Sequence, residues 1–572
     1  MITHRRAVLS ELLVQLDQAP DYDVPGGILL VVNEQGVLEG VLTDGDIRRA
    51  LIKKPSLALS ADDIMIKDPI TFPDGSSIQE ILEGISTELV RRKRKTQRFL
   101  SKIVLVDSAF RPTRVLDYHQ LWEQRVAMHR HLCVVGLGYV GLTLALVLAD
   151  EGYMVTGVDT DENRVSLLSA GTSYIHEVGL QELLREQANK NFKATTVMPD
   201  ADVFIISVGT PIDIDEQGSK TPSFRYLELA IDSIAQHLKP GNLVVLRSTV
   251  PVGTCRDYVK KQLELKTGYT CGLDFHLSFA PERTAEGKAI KELRMLPQII
   301  GGFNKDSLEA TAAIFREITP VIVKVNSMEE AEMAKLINNS FRDYVFGYSN
   351  QIAKIASQFN INAVDIIRAA NEGYPRDTVP LPSPGVGGPC LTKDPYIFAH
   401  VAERASVPGD IFTMGRDINV SMHGHVVESL IRELMKIGKL ASNSKVLICG
   451  LSFKGNPETG DLRNSTSVEI AHMIARYTGG VFGYDAVASA EQIRELSITP
   501  VSLPQGFAGM DAVLFLNNHK SFEKIIVSEM VRAMQDRPIV YDAWDLFREE
   551  DVLRARPAVY MGLSFVKSSV TA

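Results

Sequence analysis

The rhythm of apolar and polar positions changes along the chain, and each change marks a different building block. In ILLVVNEQGVLEGVLTDGDIRRALI, short apolar runs flank a polar turn. This predicts strands at residues 28–33 and 38–42, then a helix entered at Thr43 or Asp44. About 75 residues later SKIVLVDSAFRPTRVLDYHQLWE repeats that order, so residues 1–126 read as a duplicated small α/β module. From His131 the runs HLCVVGLG, YMVTGVD, ADVFIISVGTP, NLVVLRSTV and FHLSFAPE are of strand length, separated by amphipathic segments such as 225–238. Residues 127–325 are therefore expected to form a doubly wound parallel sheet. Helical periodicity follows at 328–358 and 363–372, and a Pro/Gly-rich loop, 374–389, leads into Cys390, giving a central helical region at 326–438. A second α/β unit, 439–572, starts with KVLICGLSFKG and runs through GGVFGYD and DAVLFLNN to PIVYDAW. The expected fold class is α/β, with two Rossmann-like doubly wound domains joined by a helical region and preceded by the small duplicated module.

Composition narrows the function. A chain of 572 residues, 45% hydrophobic and 23% charged, is an ordinary globular protein too long for one core. A net charge of -9 argues against a nucleic-acid partner, and the basic run at 91–95 reads as a solvated helix end. Residues 132–149 lack charge over a length that could span a membrane, but Gly136, Gly138 and Gly141 split them into a strand and a helix, so no membrane partner is expected. Five scattered cysteines offer neither a disulfide framework nor a zinc site, and the N-terminus has no secretory apolar core. A cytoplasmic protein without a metal is expected.

The glycines also carry chemistry. Gly136-x-Gly138-x-x-Gly141 follows a strand and opens a helix, which suits a pyrophosphate at the helix N-terminus. Asp159 closes the next strand, where a carboxylate takes ribose hydroxyls and favours NAD over NADP; Arg164, five residues on, either argues the other way or holds the adenosine phosphate. Cys390 stands in PGVGGPCLTKD, and Lys393 is expected to favour its thiolate. A hydride acceptor beside a nucleophilic thiol permits an aldehyde to be captured, oxidised to a thioester and hydrolysed. Glu332, Lys335 and Asn339 share a helix face, either as an oxyanion-stabilising group or as a solvated stripe. Pro281-Glu282-Arg283 with Glu286, and Arg247 to Thr254, close two strands at the ligand-binding edge of the sheet or merely cap them.

Two resemblances follow from these segments. GVLTDGDI resembles the ribose-phosphate motif of CBS-domain pairs, which implies an adenosine nucleotide held by Thr43 and Asp46. The second copy departs, with Asp117 and Gln120 at those places, so an assembly surface stays open as the alternative. GLGYVG, STVPVGT, PERTAEG, EMAKLINNSF, GVGGPCLTKDP and GLSFKGNPETGDLRNS, in that order, resemble the UDP-glucose/GDP-mannose dehydrogenase family over roughly residues 130–555. The resemblance implies an NAD-dependent, two-step oxidation at C6 of a nucleotide sugar by a homodimer or larger homo-oligomer. It assigns Cys390 as nucleophile, Lys335 and Asn339 as oxyanion or substrate contacts, Asp394 as the carboxylate that activates water, and Glu282 as a participant in acid/base work. It implies NAD contacts at Thr210, Thr249, Glu286, Lys393 and Arg463, and substrate contacts at Arg376, Lys454, Gly385, Gly387 and Gly388. Asp542-Ala543-Trp544 departs from the family's frequent Asp-Gly-Arg. The PER and PGVGG segments look more like the UDP-N-acetylhexosamine branch, which implies UDP-N-acetylmannosamine or UDP-N-acetylglucosamine as substrate and a surface-polysaccharide precursor as product. UDP-glucose oxidation, a one-step dehydrogenase and a nucleotide sensor with an inactive dehydrogenase body remain the rivals.

Overall fold

The structure is a computed structural model that describes residues 2–18, 27–56, 58–76, 80, 81, 84, 85, 88, 102–117, 131–188 and 190–570. The basic run at 91–95 and Gln120 lie outside the described residues.

The N-terminal duplication is visible in register. Ile28–Val32 pairs antiparallel with Leu38–Thr43, and Lys102–Val106 pairs antiparallel with Pro112–Asp117, each with a register break near its last pair. Ile28 faces Thr43 as Lys102 faces Asp117. The turns are built alike: Asn33 Oδ1 accepts from the N–H groups of Gln35 and Val37, and Asp107 Oδ1 from those of Ala109 and Arg111. Both reversals also pass through a left-handed residue at the same place, Gly36 at φ +80° and Phe110 at φ +62°. Ile28, Leu30, Leu38 and Val41 pack against Val104 and Val106, so each repeat covers the other's apolar face.

The next sheet has eight strands. Their spatial order is Ile322–Lys324, Gln298–Gly302, His276–Phe279, Leu243–Leu246, Val203–Ile206, His131–Val135, Met154–Val158, Phe192–Thr195. Leu132 and Val134 point into one core and Cys133 and Val135 into the other. A strand covered on both faces needs apolar residues at every position, hence the unbroken run HLCVV. One expectation is corrected: the sheet is not wholly parallel, because Gln298–Gly302 runs antiparallel to His276–Phe279. The uncharged stretch at 132–149 is a central strand and the helix Tyr139–Asp150, whose residues from Gly141 to Ala149 are buried. Among the described residues no helix is long and apolar enough to cross a membrane.

Two long helices, Met328–Gln358 and Asp410–Lys436, form the centre. They cross where Gly347 meets Gly415: a Cβ on Gly347 would lie 2.7 Å from Gly415 Cα, closer than any side chain tolerates. Two glycines therefore set the interhelical distance. The last sheet has seven strands, parallel except for Val566–Ser568, with Lys445–Cys449 between Gly480–Tyr484 and Ala512–Phe515.

Candidate active site

The glycine turn is defined by contact distances. Gly136 adopts φ +91°, where a side chain would be strained, and a Cβ on Gly141 would lie 1.8 Å from the Gly136 carbonyl oxygen. At Gly138, the N-cap of helix Tyr139–Asp150, nothing lies within 4 Å of such a Cβ, leaving open space over the helix N-terminus. Asp159 ends the neighbouring strand; its carboxylate accepts from the N–H groups of Leu137 and Asp161, and Arg164 lies 3.7 Å away. Ser207, packed against Gly136, and Thr210 bury hydroxyl oxygens with no protein partner. Thr249 is half-buried just past strand Leu243–Leu246.

Of five cysteines, Cys390 is the exposed one. Its loop is shaped by glycines at φ +127° (Gly385) and +90° (Gly388). A Cβ would lie 2.9 Å from the Asn419 carbonyl oxygen at Gly385, 2.5 Å from the Asn464 carbonyl oxygen at Gly387, and 2.7 Å from the Phe453 ring at Gly388. The side-chain faces of these glycines are thus filled by protein. The Gly388 N–H also donates to Asn464 O, which ties the loop to the C-terminal domain.

Beyond Cys390 the chain enters helix Asp394–Arg404, whose first N–H groups donate to the Cys390 carbonyl. Asp394 is fully buried and accepts from Asn339 Nδ2 (2.5 Å) and Lys393 Nζ (2.6 Å). Lys335 Nζ donates to the Glu282 carbonyl oxygen. Lys393 favours the Cys390 thiolate as expected, but it is outweighed. Packed protein around the sulfur raises its pKa and Asp394 raises it further; Lys335 and Lys393 pull the other way without prevailing. Glu332 also leaves the expected group, since its carboxylate turns away to accept from the N–H groups of Gly253 and Cys255, and burial pushes its pKa up to about 7.

Glu282 is an anchored anion. It accepts from Arg247 Nη2 and from the N–H groups of Arg283 and Thr284. Burial alone would raise its pKa, but Arg247 and these bonds hold it below the usual carboxylate range. Its carboxylate is thus engaged by protein donors on both oxygens. Glu286 differs: burial, then the Asp461 carboxylate, push its pKa up to about 7, and its Oε2 is buried without a partner. Lys454 Nζ reaches across from the C-terminal domain to the Glu286 carbonyl oxygen (2.7 Å), and Arg463, paired to Asp461, lies 3.7 Å from the Glu286 carboxylate.

Not every expected residue joins this cluster. Arg376 is exposed and contacts Tyr374, with no hydrogen bond to the groups around Cys390. Asp542 accepts from the N–H groups of Trp544, Leu546 and Phe547, and Trp544 packs on the core. Thr43 and Asp46 bond each other in a helix capping box, and Asp46 also binds Arg49. Ser207 and Glu177 were missed. Glu177 binds Tyr139 and the N–H groups of Gly287 and Ala289, joining the glycine helix to the Glu286 loop. An isolated acid in a loop carries no periodic signal, so only the fold reveals it.

Comparison with known proteins identifies this arrangement. Residues 130–319 match the NAD binding domain of the UDP-glucose/GDP-mannose dehydrogenase family, 329–421 its central domain and 447–549 its UDP binding domain. The chain belongs to the UDP-glucose/GDP-mannose dehydrogenase family. UDP-N-acetyl-D-mannosamine dehydrogenase of Methanococcus maripaludis is 35% identical over 398 residues, 69% of this chain and 88% of the relative. The enzyme of that name from Campylobacter jejuni is 31% identical over 415 residues, 70% and 98% of the two chains. The structure of UDP-D-ManNAc dehydrogenase from Pyrococcus horikoshii is similar at TM-score 0.68 and 30% identity, covering 76% of this chain and 99% of that one. This dehydrogenase is thus an NAD-dependent enzyme acting on a nucleotide sugar. Its residues fit NAD: the open backbone over the helix N-terminus would suit a pyrophosphate, Asp159 would suit ribose hydroxyls, and the Ser207 and Thr210 hydroxyls are buried polar groups without a partner among the described residues.

Proposed function

We propose that this dehydrogenase oxidises the C6 alcohol of UDP-N-acetylmannosamine, or of UDP-N-acetylglucosamine, through the aldehyde to the carboxylate, with Cys390 as nucleophile. The observation that carries the reading is the exposed Cys390 beside Lys335, Lys393 and Asp394, with Asn339 bonded to Asp394. NAD, when bound, accepts two electrons as hydride in each oxidation. The Cys390 sulfur adds to the aldehyde carbon, its proton going to the carbonyl oxygen, and the Lys335 ammonium and Asn339 amide stabilise negative charge on that oxygen. After the second oxidation Asp394 draws a proton from water, whose oxygen displaces the thiol and leaves the acid. Glu282 acts through position, holding Arg247 and presenting its carbonyl to Lys335. Relatives named for UDP-N-acetyl-D-mannosamine support the choice of sugar, and the product suits surface-polysaccharide synthesis. An NADH assay across UDP-N-acetylmannosamine, UDP-N-acetylglucosamine, UDP-glucose and GDP-mannose tests it; highest kcat/KM on UDP-glucose or GDP-mannose would refute the sugar.

The 28–43 and 102–117 repeat supports a regulatory CBS-like pair, with adenosine nucleotide displacing the Thr43–Asp46 capping box. Calorimetry of the full chain with AMP and ATP tests this, and absence of binding leaves the assembly role. Exposed Ile337, Phe341, Tyr348 and Ile355 along one side of helix Met328–Gln358 support a homodimer through that face.

A further inference from the structure

A buried ion pair lies beneath the Cys390 loop, away from any substrate surface. Arg416, on helix Asp410–Lys436, is 2% exposed. Its Nη2 donates to the Val386 carbonyl oxygen at 2.6 Å and its Nη1 to the Leu391 carbonyl oxygen at 3.3 Å. Those carbonyls bracket the Gly387–Cys390 turn, so one planar guanidinium spans both ends of the segment that presents the thiol. Nη1 also lies 3.1 Å from Asp343 Oδ1. Asp343 belongs to helix Met328–Gln358, eight residues beyond Lys335 and four beyond Asn339, a spacing that keeps all three on one face. Asn419 reinforces the link by donating to the Asp343 carbonyl and carboxylate oxygens, and it accepts from Asn350, whose Oδ1 takes the N–H of Ser383 at the start of the loop.

The chemistry of the pair is unusual for a merely stabilising contact. Arg416 Nε and Asp343 Oδ2 are buried and lack partners among the described residues, so the ion pair is incompletely satisfied. An apolar pair of similar volume would often serve stability as well or better. What an apolar pair cannot do is grip two backbone carbonyls at fixed separation. The Gly347–Gly415 contact fixes the height of Arg416 under the loop, because any side chain at either glycine would part the helices.

We propose that Arg416, held by Asp343, is a positioning residue that sets the distance between the Cys390 sulfur and the Lys335 and Asn339 side chains. This rests on Cys390 being the nucleophile. It acts on the thiol steps and leaves NAD binding largely alone, since neither group touches the glycine turn.

The test is Arg416→Lys, which keeps the charge but loses the planar fork, alongside Asp343→Asn, a gentler variant that keeps one acceptor. Turnover is expressed per reactive Cys390, titrated with iodoacetamide, so that misfolded protein drops out. Expected for Arg416→Lys is a kcat roughly 30- to 100-fold lower, the scale of a small misplacement of reacting groups, with KM for NAD within about threefold and a changed pH profile of Cys390 alkylation. Asp343→Asn should move the same quantities less, and not KM for NAD. Unchanged kcat per titrated thiol in Asp343→Asn and in whatever Arg416→Lys protein folds, with only a lower melting temperature, would overturn the proposal. Cys390→Ser run beside them separates the two claims: continued acid formation there removes the nucleophile reading itself, whereas its loss with a normal Arg416→Lys removes only the positioning role.

Discussion

Replacing Glu282 with glutamine separates an anchoring anion from a catalytic base. The carboxylate accepts from Arg247 at 2.5 Å and from the N–H groups of Arg283 and Thr284 at 2.6 and 2.7 Å, and both charged groups are buried. Glutamine keeps one acceptor oxygen, turns an NH2 toward backbone donors and leaves a buried guanidinium without its counter-ion. Breaking one side of such a pair costs about 3–5 kcal/mol. For a domain of this size each kcal/mol moves the melting temperature by about 2–4 °C, so the first unfolding transition should fall by roughly 6–20 °C in scanning calorimetry. The pH dependence has a definite sign. Because the folded pKa lies below the ordinary 4.5, the pair's contribution is present above that value and is lost as pH falls through the folded value, so the gap between wild type and Glu282→Gln should close in acid. The folded fraction should keep measurable turnover with an unchanged pH profile. An unaltered melting temperature with abolished turnover would refute the anchoring role and restore Glu282 as an acid/base group.

Other substitutions probe the neighbouring groups. Asp394→Asn removes a carboxylate that raises the thiol pKa, so the midpoint of Cys390 alkylation by iodoacetamide should move to lower pH; a move upward would contradict the electrostatics of the cleft. Gly387→Ala places a methyl 2.5 Å from the Asn464 carbonyl oxygen and should cut turnover by about 100-fold while NAD binding, read by fluorescence, survives. Glu332 has its pKa raised to about 7, so its contribution to stability is fully present below the ordinary 4.5 and fades as pH rises toward 7; Glu332→Gln should flatten that part of the melting-temperature curve.

The parts of the fold legible in the sequence were those written in local periodicity. Unbroken apolar runs such as HLCVV announced strands covered on both faces, and the glycine spacing after that run announced a turn opening a helix. Strand direction was not legible at Gln298–Gly302, because apolar content is the same whether a strand runs up or down. In the site, the segment order led to Cys390 and its neighbours, but helix spacing alone could not tell that Glu332 faces Gly253 and Cys255 while Asn339 faces Asp394. The sequence also does not show that Asn419, Asn464 and Phe453 pack where side chains on Gly385, Gly387 and Gly388 would stand. Arg416 and Glu177 act through partners far away in sequence, and no local pattern marks them.

The ratio of NADH formed to sugar acid formed, measured with purified enzyme and UDP-N-acetylmannosamine, bears on the thiol route at its root. A ratio of two, with no free aldehyde trapped by hydroxylamine and no acid from Cys390→Ser, is the expected result. A ratio of one with aldehyde released, or a ratio of two retained in Cys390→Ser, would contradict it.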